Sequence, residues 1–576
     1  ADTLDPIHAY DTSSGEVLLN VYENLVQYDQ GQLDVMLPML ATEVPTVENG
    51  LIEVHDDGTM TMDFNIRDDV FFHSGDPLTA EDVAYSFQRI MIHSSSDSPA
   101  WIILEDLLNT QDLGDIAEDV GDAEACQSVL DAVTTDGSTV TFNFPQPSAT
   151  FLARIAHGGS WGAVMNKSFV IENGGWDGTC ENWRAHYQVD KENLPLHQIT
   201  DGTGPFKLER WTTDDVIVLI RNSEYWREPA FFERVEFRVV PEFGTRKLLF
   251  EQGDIDMIYV DQQFTEQMIG TEGARTAYMM PTIQNTTAFF NFDISTQGNN
   301  NIGSGQLDGE GIPPDFFTDL DVRKGFAYAF NYQDFVEQVY LGEANQSYGP
   351  IPASLPYAST EIPRHNFDIE RAEEHFRQAW DGAVWENGFK FTIVYNEGNN
   401  QRRTAAQIIK DNVENINNKF QVDVRAEPWP TFLDNYRARR IPIWIIGWNV
   451  DFPDAHNFIQ PYMHSQGNYG FRQSISKLPA FEGVDDMIMQ AARETDPEAR
   501  AQIYRDLQQL AFDQAIDIFL VDPLERVWQR QWVNDWAYNP VWPGEGRYLY
   551  GVTKSNAGEF SSSLTEDFEG VVIEEW

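Results

Sequence analysis

Nowhere does the chain hold the roughly 18 consecutive apolar residues that a membrane-spanning helix needs. It opens on Ala1-Asp2-Thr3 with no apolar stretch of the kind found in a signal peptide, as a processed chain would. Only two cysteines are present, Cys126 and Cys180. That number excludes a disulfide-dense scaffold and leaves open both a reduced pair in the cytosol and a single bridge in an oxidising compartment. Lysine is scarce: ten of the 38 basic residues are lysine, against 92 acidic residues, and the net charge is −54. A surface of that sign repels phosphate backbones, which excludes nucleic acid as a partner. An acidic, lysine-poor composition suits a halophilic setting, where screening removes most of the self-repulsion. There is no fixed-period repeat and no low-complexity tail.

What the chain does have is length and aromatic rings. At 576 residues and 42% apolar it can bury a large core, and that length calls for more than one lobe. Aromatic residues make up 13%, with 16 Trp and 21 Tyr, enough to fill a core and still line a cleft. The stretch from Val17 to Leu25 reads as an amphipathic helix after a Ser13-Ser14-Gly15 turn. From Ile52 to Phe72 the pattern is that of strands, and Thr79-Ala80-Glu81-Asp82 is a capping-box start for a helix with Val83, Phe87 and Ile90 on one face. The acidic stretch from Asp106 to Asp136 and the segment from Gly174 to Leu196 read as loops. After Gly202-Thr203-Gly204-Pro205-Phe206 a strand begins, and the loop Thr212 to Asp215 joins it to the run Val216 to Ile220 as a hairpin.

Further on, Gln297 to Pro314 reads as an exposed Gly/Asn-rich loop, and Val322 to Val339 has helical periodicity. Phe391 to Tyr395 is a strand and Thr404 to Ile416 a helix. Asp496-Pro497-Glu498 starts another helix, with Ile503, Leu507 and Leu510 as its buried stripe. Gly158-Gly159-Ser160-Trp161-Gly162 fits the G-x-S-x-G pattern of a hydrolase elbow, which requires a strand before and a helix after. Here a helix-like Phe151 to Ala156 precedes and a strand-like Ala163 to Lys167 follows, the reverse order. No H-E-x-x-H, paired-cysteine or Walker pattern occurs, and His456 and His464 do not make a metal site by themselves, so neither catalysis nor a metal or other cofactor is expected.

The order of certain segments is more specific. They are Thr3-Leu4-Asp5-Pro6, Asn20-Val21-Tyr22-Glu23-Asn24-Leu25-Val26, Phe72 to Val83, Gly202 to Phe206, Arg221-Asn222-Ser223-Glu224-Tyr225-Trp226, Asp321 to Ala327, and Gly447-Trp448-Asn449-Val450-Asp451-Phe452-Pro453-Asp454. Together they closely resemble the family-5 extracellular solute-binding proteins, the oligopeptide- and dipeptide-binding group. The resemblance implies an α/β, type II periplasmic-binding-protein-like fold of two lobes with a ligand cleft between them and an extra inserted α/β domain. The implied divisions are 1–35 with 197–282 and 526–576 for the first lobe, 36–196 for the insertion, and 283–525 for the second lobe.

It also implies an extracellular or periplasmic, cell-surface-associated protein that captures peptides and delivers them to the membrane permease of an ABC transporter. Other solutes bound within the family, namely sugars, nickel and haem, are the alternatives, as is a self-assembling extracellular layer or filament; otherwise a monomer is expected. Asp451 stands where peptide binders hold the α-ammonium; its other reading is a turn cap beside Pro453. Trp448, Asn449 and Trp429 would sit near it. Arg402 and Arg403 stand where dipeptide binders place an arginine for the ligand carboxylate, a bidentate partner for guanidinium. Some oligopeptide binders carry an arginine where Ile445 stands here. From the first lobe, Asp11, Ser13 and Ser14 occupy the ligand-facing loop, and Gly159, Ser160 and Trp161 form a second cleft segment. Paired cysteines in similar proteins imply a Cys126–Cys180 disulfide.

Overall fold

The computed structural model describes residues 1–29, 31–33, 35–95, 98–494, 496–542, 547–555 and 572–575. The chain forms two compact units. One comprises Ala1–Val260, Gln267–Ala277 and Val527–Trp576, and the other Asp261–Glu266 and Tyr278–Arg526.

The first unit holds a four-stranded antiparallel sheet in the order Ile52–Val54, Met60–Asn65, Thr139–Phe144, Val133–Asp136. Met60, Met62 and Phe64 alternate with polar residues, so the sheet has one apolar face. The helix Ala80–His93 covers it, with Phe87 edge-on to Phe142 at 4.9 Å. Its capping box is formed: Thr79 accepts from the Asp82 amide and Asp82 accepts from the Thr79 amide. A second sheet of three strands, Phe206–Thr212, Val216–Arg221 and Arg234–Arg238, contains the expected hairpin.

Several resemblance segments turn out to be buried polar latches of this unit. Arg89 binds the Asp5 carboxylate through two bonds of 2.8 and 2.6 Å. Glu23 accepts from Thr203, Tyr225 and Trp226 at 2.8, 2.6 and 2.9 Å, and burial raises its carboxyl pKa. Ser74 donates to Asp201 at 2.8 Å.

Four local expectations need correction. The first helix is Thr12–Val21, so Ser13, Ser14 and Gly15 lie inside it, because the Asp11 side chain caps it by accepting from the Ser14 amide. The stretch from Asp106 to Asp136 is largely helical, with helices Ala100–Leu108, Leu113–Val120 and Asp122–Ala132. Asp112 caps the second of these and Asp115, Asp122 and Glu124 lie in first turns, where acids are favourable, while small apolar residues such as Ala117, Ala125 and Val129 make the buried stripes. Residues 163–166 are irregular rather than a strand. Helical periodicity from Val322 to Val339 is interrupted: the helix Leu320–Ala329 stops where Phe330 turns extended and packs on Tyr332 and Phe335, and Asn331 caps a fresh turn. Cys126 and Cys180 are joined by a disulfide, with Cα atoms 5.6 Å apart, which ties the helix Asp122–Ala132 to the irregular segment around Cys180.

The second unit is built on a mixed sheet. Phe389–Asn396 runs parallel to Phe420–Glu427 and to Ile443–Asn449, and Gln284–Phe290 pairs antiparallel with Ile443–Asn449 and with Asp517–Arg530. The near-continuous burial of Phe389–Asn396 marks a strand covered on both faces. Aromatic residues fill the space below: Phe326 lies 5.2 Å from Phe376, 5.8 Å from Phe389 and 6.1 Å from Phe290. The helix Pro497–Asp513 begins as expected, with Asp496 accepting from the Ala499 amide, but of the expected stripe only Leu507 is buried, beside Arg500, Tyr504, Gln508 and Ala511, and Ile503 and Leu510 are half-buried.

Candidate functional site

In the second unit the strand Ile443–Asn449 ends in the Gly-Trp-Asn segment, and the chain then turns through Asp451 into the helix His456–Met463. Asp451 is 6% exposed and Asn457 is fully buried. The Asn457 amide oxygen accepts from the Asp451 backbone amide at 2.8 Å and from the Trp448 indole at 3.2 Å, and its amide nitrogen donates to the Asp451 carboxylate at 2.8 Å. Asp454 closes this turn: its carboxylate accepts from the His456 amide at 2.8 Å. Asn449 is exposed at the strand end.

Trp448 meets the Tyr469 ring edge-on at 5.5 Å, and Tyr469 donates to the Gly447 carbonyl at 2.8 Å. Tyr469 also interacts electrostatically with Arg402, which lies in the first turn of the helix Asn400–Ile416, whose Asn399 cap accepts from the Arg402 amide. The Arg402 guanidinium is half-buried beside Tyr469 and Tyr340, and desolvation lowers its pKa. It donates to the neutral Asn396 side chain at 2.8 Å. The structure thus brings Asp451, Trp448 and Arg402 to one neighbourhood through Tyr469 and Asn457. Arg403, the next residue along the helix, is exposed, and Trp429 is 44% exposed and stacks on Phe432 at 5.5 Å.

Asn457, Asp454 and Tyr469 were missed from sequence. An Asp that can bond the backbone amide two residues on is a turn signal that could have found Asp454; nothing local marks Asn457 or Tyr469.

In the first unit, Ser14 is fully buried and its hydroxyl accepts from the Asp2 amide at 2.8 Å. Gly159 has φ +91° and lies so close to the helix Thr12–Val21 that a Cβ would stand 2.4 Å from the Leu19 nitrogen, so only glycine fits. Ser160 donates to the Ala9 carbonyl at 2.7 Å, and Trp161 donates to the Arg154 carbonyl at 2.8 Å while stacking on His157. Asp11 is half-buried at the helix cap and Ser13 is exposed. The G-x-S-x-G segment follows the helix Phe151–Ile155, and its serine hydroxyl is spent on a backbone carbonyl, an arrangement unlike a nucleophile elbow. Among the described residues, no group of three or more His, Cys, Asp or Glu is arranged to hold a metal ion, and no helix is long and apolar enough to cross a membrane.

Comparison with known proteins adds three findings. The probable D,D-dipeptide-binding periplasmic protein DdpA of Escherichia coli (strain K12) is 24% identical over 94% of this chain and 90% of its own length. Heme-binding protein A of Haemophilus influenzae is 23% identical over 88% and 82%. Among solved structures, the ABC transporter-associated periplasmic binding protein DppA from Helicobacter pylori in complex with peptide STSA matches with a TM-score of 0.71 at 21% identity, covering 96% of both chains. The fold is therefore the two-lobe α/β fold of periplasmic binding proteins. Residues 36–470 match the family described as bacterial extracellular solute-binding proteins, family 5, and the chain belongs to that family.

Proposed function

We propose that this protein is the substrate-binding component of an ABC importer, that it captures peptides outside the cytoplasm and hands them to a membrane permease, and that it catalyses no reaction. The observation that carries the reading is Arg402, a half-buried cation whose hydrogen-bond partner is the neutral Asn396, in the same neighbourhood as the buried carboxylate of Asp451. A peptide zwitterion offers a charge complementary to each: its ammonium to the carboxylate and its carboxylate to the guanidinium. Similar proteins agree with it: one relative is a probable D,D-dipeptide-binding protein and a solved neighbour holds a peptide.

Asp451, Trp448 and Arg402 are the ligand contacts this geometry supports best, with Asn449 and Arg403 next to them in the chain and Trp429 proposed on the family resemblance. Asp11, Ser13, Ser14, Gly159, Ser160 and Trp161 are proposed on the family resemblance, although Ser14, Gly159, Ser160 and Trp161 already serve the packing of the first unit. The division into a discontinuous lobe, an insertion over 36–196 and a second lobe over 283–525 is likewise proposed. It is supported by the four-stranded sheet lying wholly within 52–144 and the three-stranded sheet within 206–238.

The test is calorimetry with tetra-alanine and N-acetyl-tetra-alanine at one salt concentration. Asp451→Asn keeps the shape and removes the charge, so it should weaken the free peptide by about 3–5 kcal/mol and the acetylated one far less. Equal losses, or none, would remove Asp451 as the ammonium anchor. Mass spectrometry of the co-purified ligand checks the class itself: haem, a sugar or a metal complex in place of a peptide would sink the peptide reading.

A further inference from the structure

We propose that Arg500, on the helix Pro497–Asp513, is a positioning residue for Asp451, acting through Asp454 and Asn457. The proposal rests on the reading of Asp451 as a ligand anchor. Arg500 and Asp454 are 46 residues apart in sequence and are 6% and 8% exposed. The guanidinium grips the Asp454 carboxylate with two bonds of 2.8 and 2.9 Å, its Nε–H donates to the Ala491 carbonyl at 2.8 Å, and Nη2 also donates to the Tyr504 hydroxyl at 3.3 Å. Tyr357 and Tyr504 place their rings 5.0 and 5.3 Å from it, so its plane is fixed as well as its charge. Only arginine has the planar fork for this grip.

Asp454 passes that fixed position on. Its Oδ1 accepts from the His456 amide at 2.8 Å and its backbone carbonyl accepts from the Asn457 amide at 3.1 Å, which sets the first turn of the helix His456–Met463. The orientation of that turn aims the Asn457 side chain, which holds both the backbone and the carboxylate of Asp451 and the indole of Trp448. A buried ion pair contributes little net stability over an apolar pair of the same volume, because desolvation cancels most of the attraction. What it supplies is a single geometry. Asp451 therefore sits where it does because an ion pair on the far side of its turn holds the turn in register.

Hydrogen exchange on the ligand-free full chain tests this without a ligand. In Arg500→Met, amides over 450–458 should exchange about tenfold faster while the strand Gln284–Phe290 stays unchanged, since the lost bonds are local to the turn. Arg500→Lys, which keeps the charge but not the fork, should fall between. Asp454→Asn, which keeps an acceptor for the His456 amide, should reproduce the effect and replaces Arg500→Met where that variant does not fold. In calorimetry, Arg500→Met should weaken tetra-alanine more than N-acetyl-tetra-alanine, a ratio that a general loss of stability would not move. Unchanged exchange over 450–458, or equal acceleration in Gln284–Phe290, overturns the proposal. If exchange responds while Asp451→Asn leaves binding intact, Arg500 still positions Asp451 and it is the anchor reading that falls.

Discussion

Asn396 orients the guanidinium of Arg402 without neutralising it. Burial desolvates that guanidinium, so a carboxylate arriving there gains more than it would at an open surface. Replacing Arg402 by Gln should therefore weaken tetra-alanine by about 2–3 kcal/mol and leave its C-terminal amide nearly unaffected, a comparison for calorimetry. Asp522 offers a pH test at the same scale. Burial raises its carboxyl to about 7 despite bonds from Ser347 and the Ala353 amide. The folded protein then holds a proton that the unfolded chain releases near pH 4, so this contribution to stability is complete below pH 4 and is lost as pH rises to about 7. Neutral buried histidines such as His157, lowered to about 3, act in the opposite direction, so the quantity to measure is the difference between wild type and Asp522→Asn. Relative to the variant, the wild type should lose stability, on the order of 3 kcal/mol, between pH 4 and 7. A flat difference would mean that Asp522 stays ionised in the fold.

Single helices and strands obey the rules visible in their own residues wherever the partners are near in sequence. The caps at Thr79 and Asp496, the hairpin after Phe206 and the strand at Phe391 formed where local chemistry placed them. The helix Leu320–Ala329 shows the other kind of control. Gly325 is unfavourable in a helix interior by about 1 kcal/mol relative to alanine. It stands there because a Cβ would meet the Phe376 ring at 2.8 Å. That ring is fully buried against Phe326 and Phe420 and has no room to move. Gly325→Ala should therefore destabilise, with an overpacking cost of about 1–3 kcal/mol exceeding the propensity gain, and lower the Tm measured by calorimetry. The helix from Val322 was legible from its period, but its stop at Ala329 was not, because the Phe330 contacts with Tyr332 and Phe335 outweigh continued propensity. The acidic helices Leu113–Val120 and Asp122–Ala132 were hidden for a related reason: their buried stripes are short and made mostly of small residues, and only packing reveals them.

For the whole molecule the governing quantity is charge, −54 over 576 residues. Screening shortens the reach of each charge from about 10 Å at 0.1 M salt to about 3 Å at 1 M. The Tm should accordingly rise between those concentrations, and a flat or falling Tm would argue against a halophilic surface. Motif order, which needs no coordinates, was enough to identify the family, because motifs keep their order along the chain. Several of those motifs proved to be latches, as Asp5 with Arg89 and Glu23 with Tyr225 show, so their recurrence reports the fold more than the ligand. What only the tertiary structure decided is which groups meet. Asn457 lies six residues from Asp451, but the Arg500 that fixes their turn comes from a helix 46 residues beyond Asp454. A local pattern reports neighbours a few residues away. A buried charge selects its partner by geometry and desolvation in the folded interior, and that selection leaves no spacing to read in the chain.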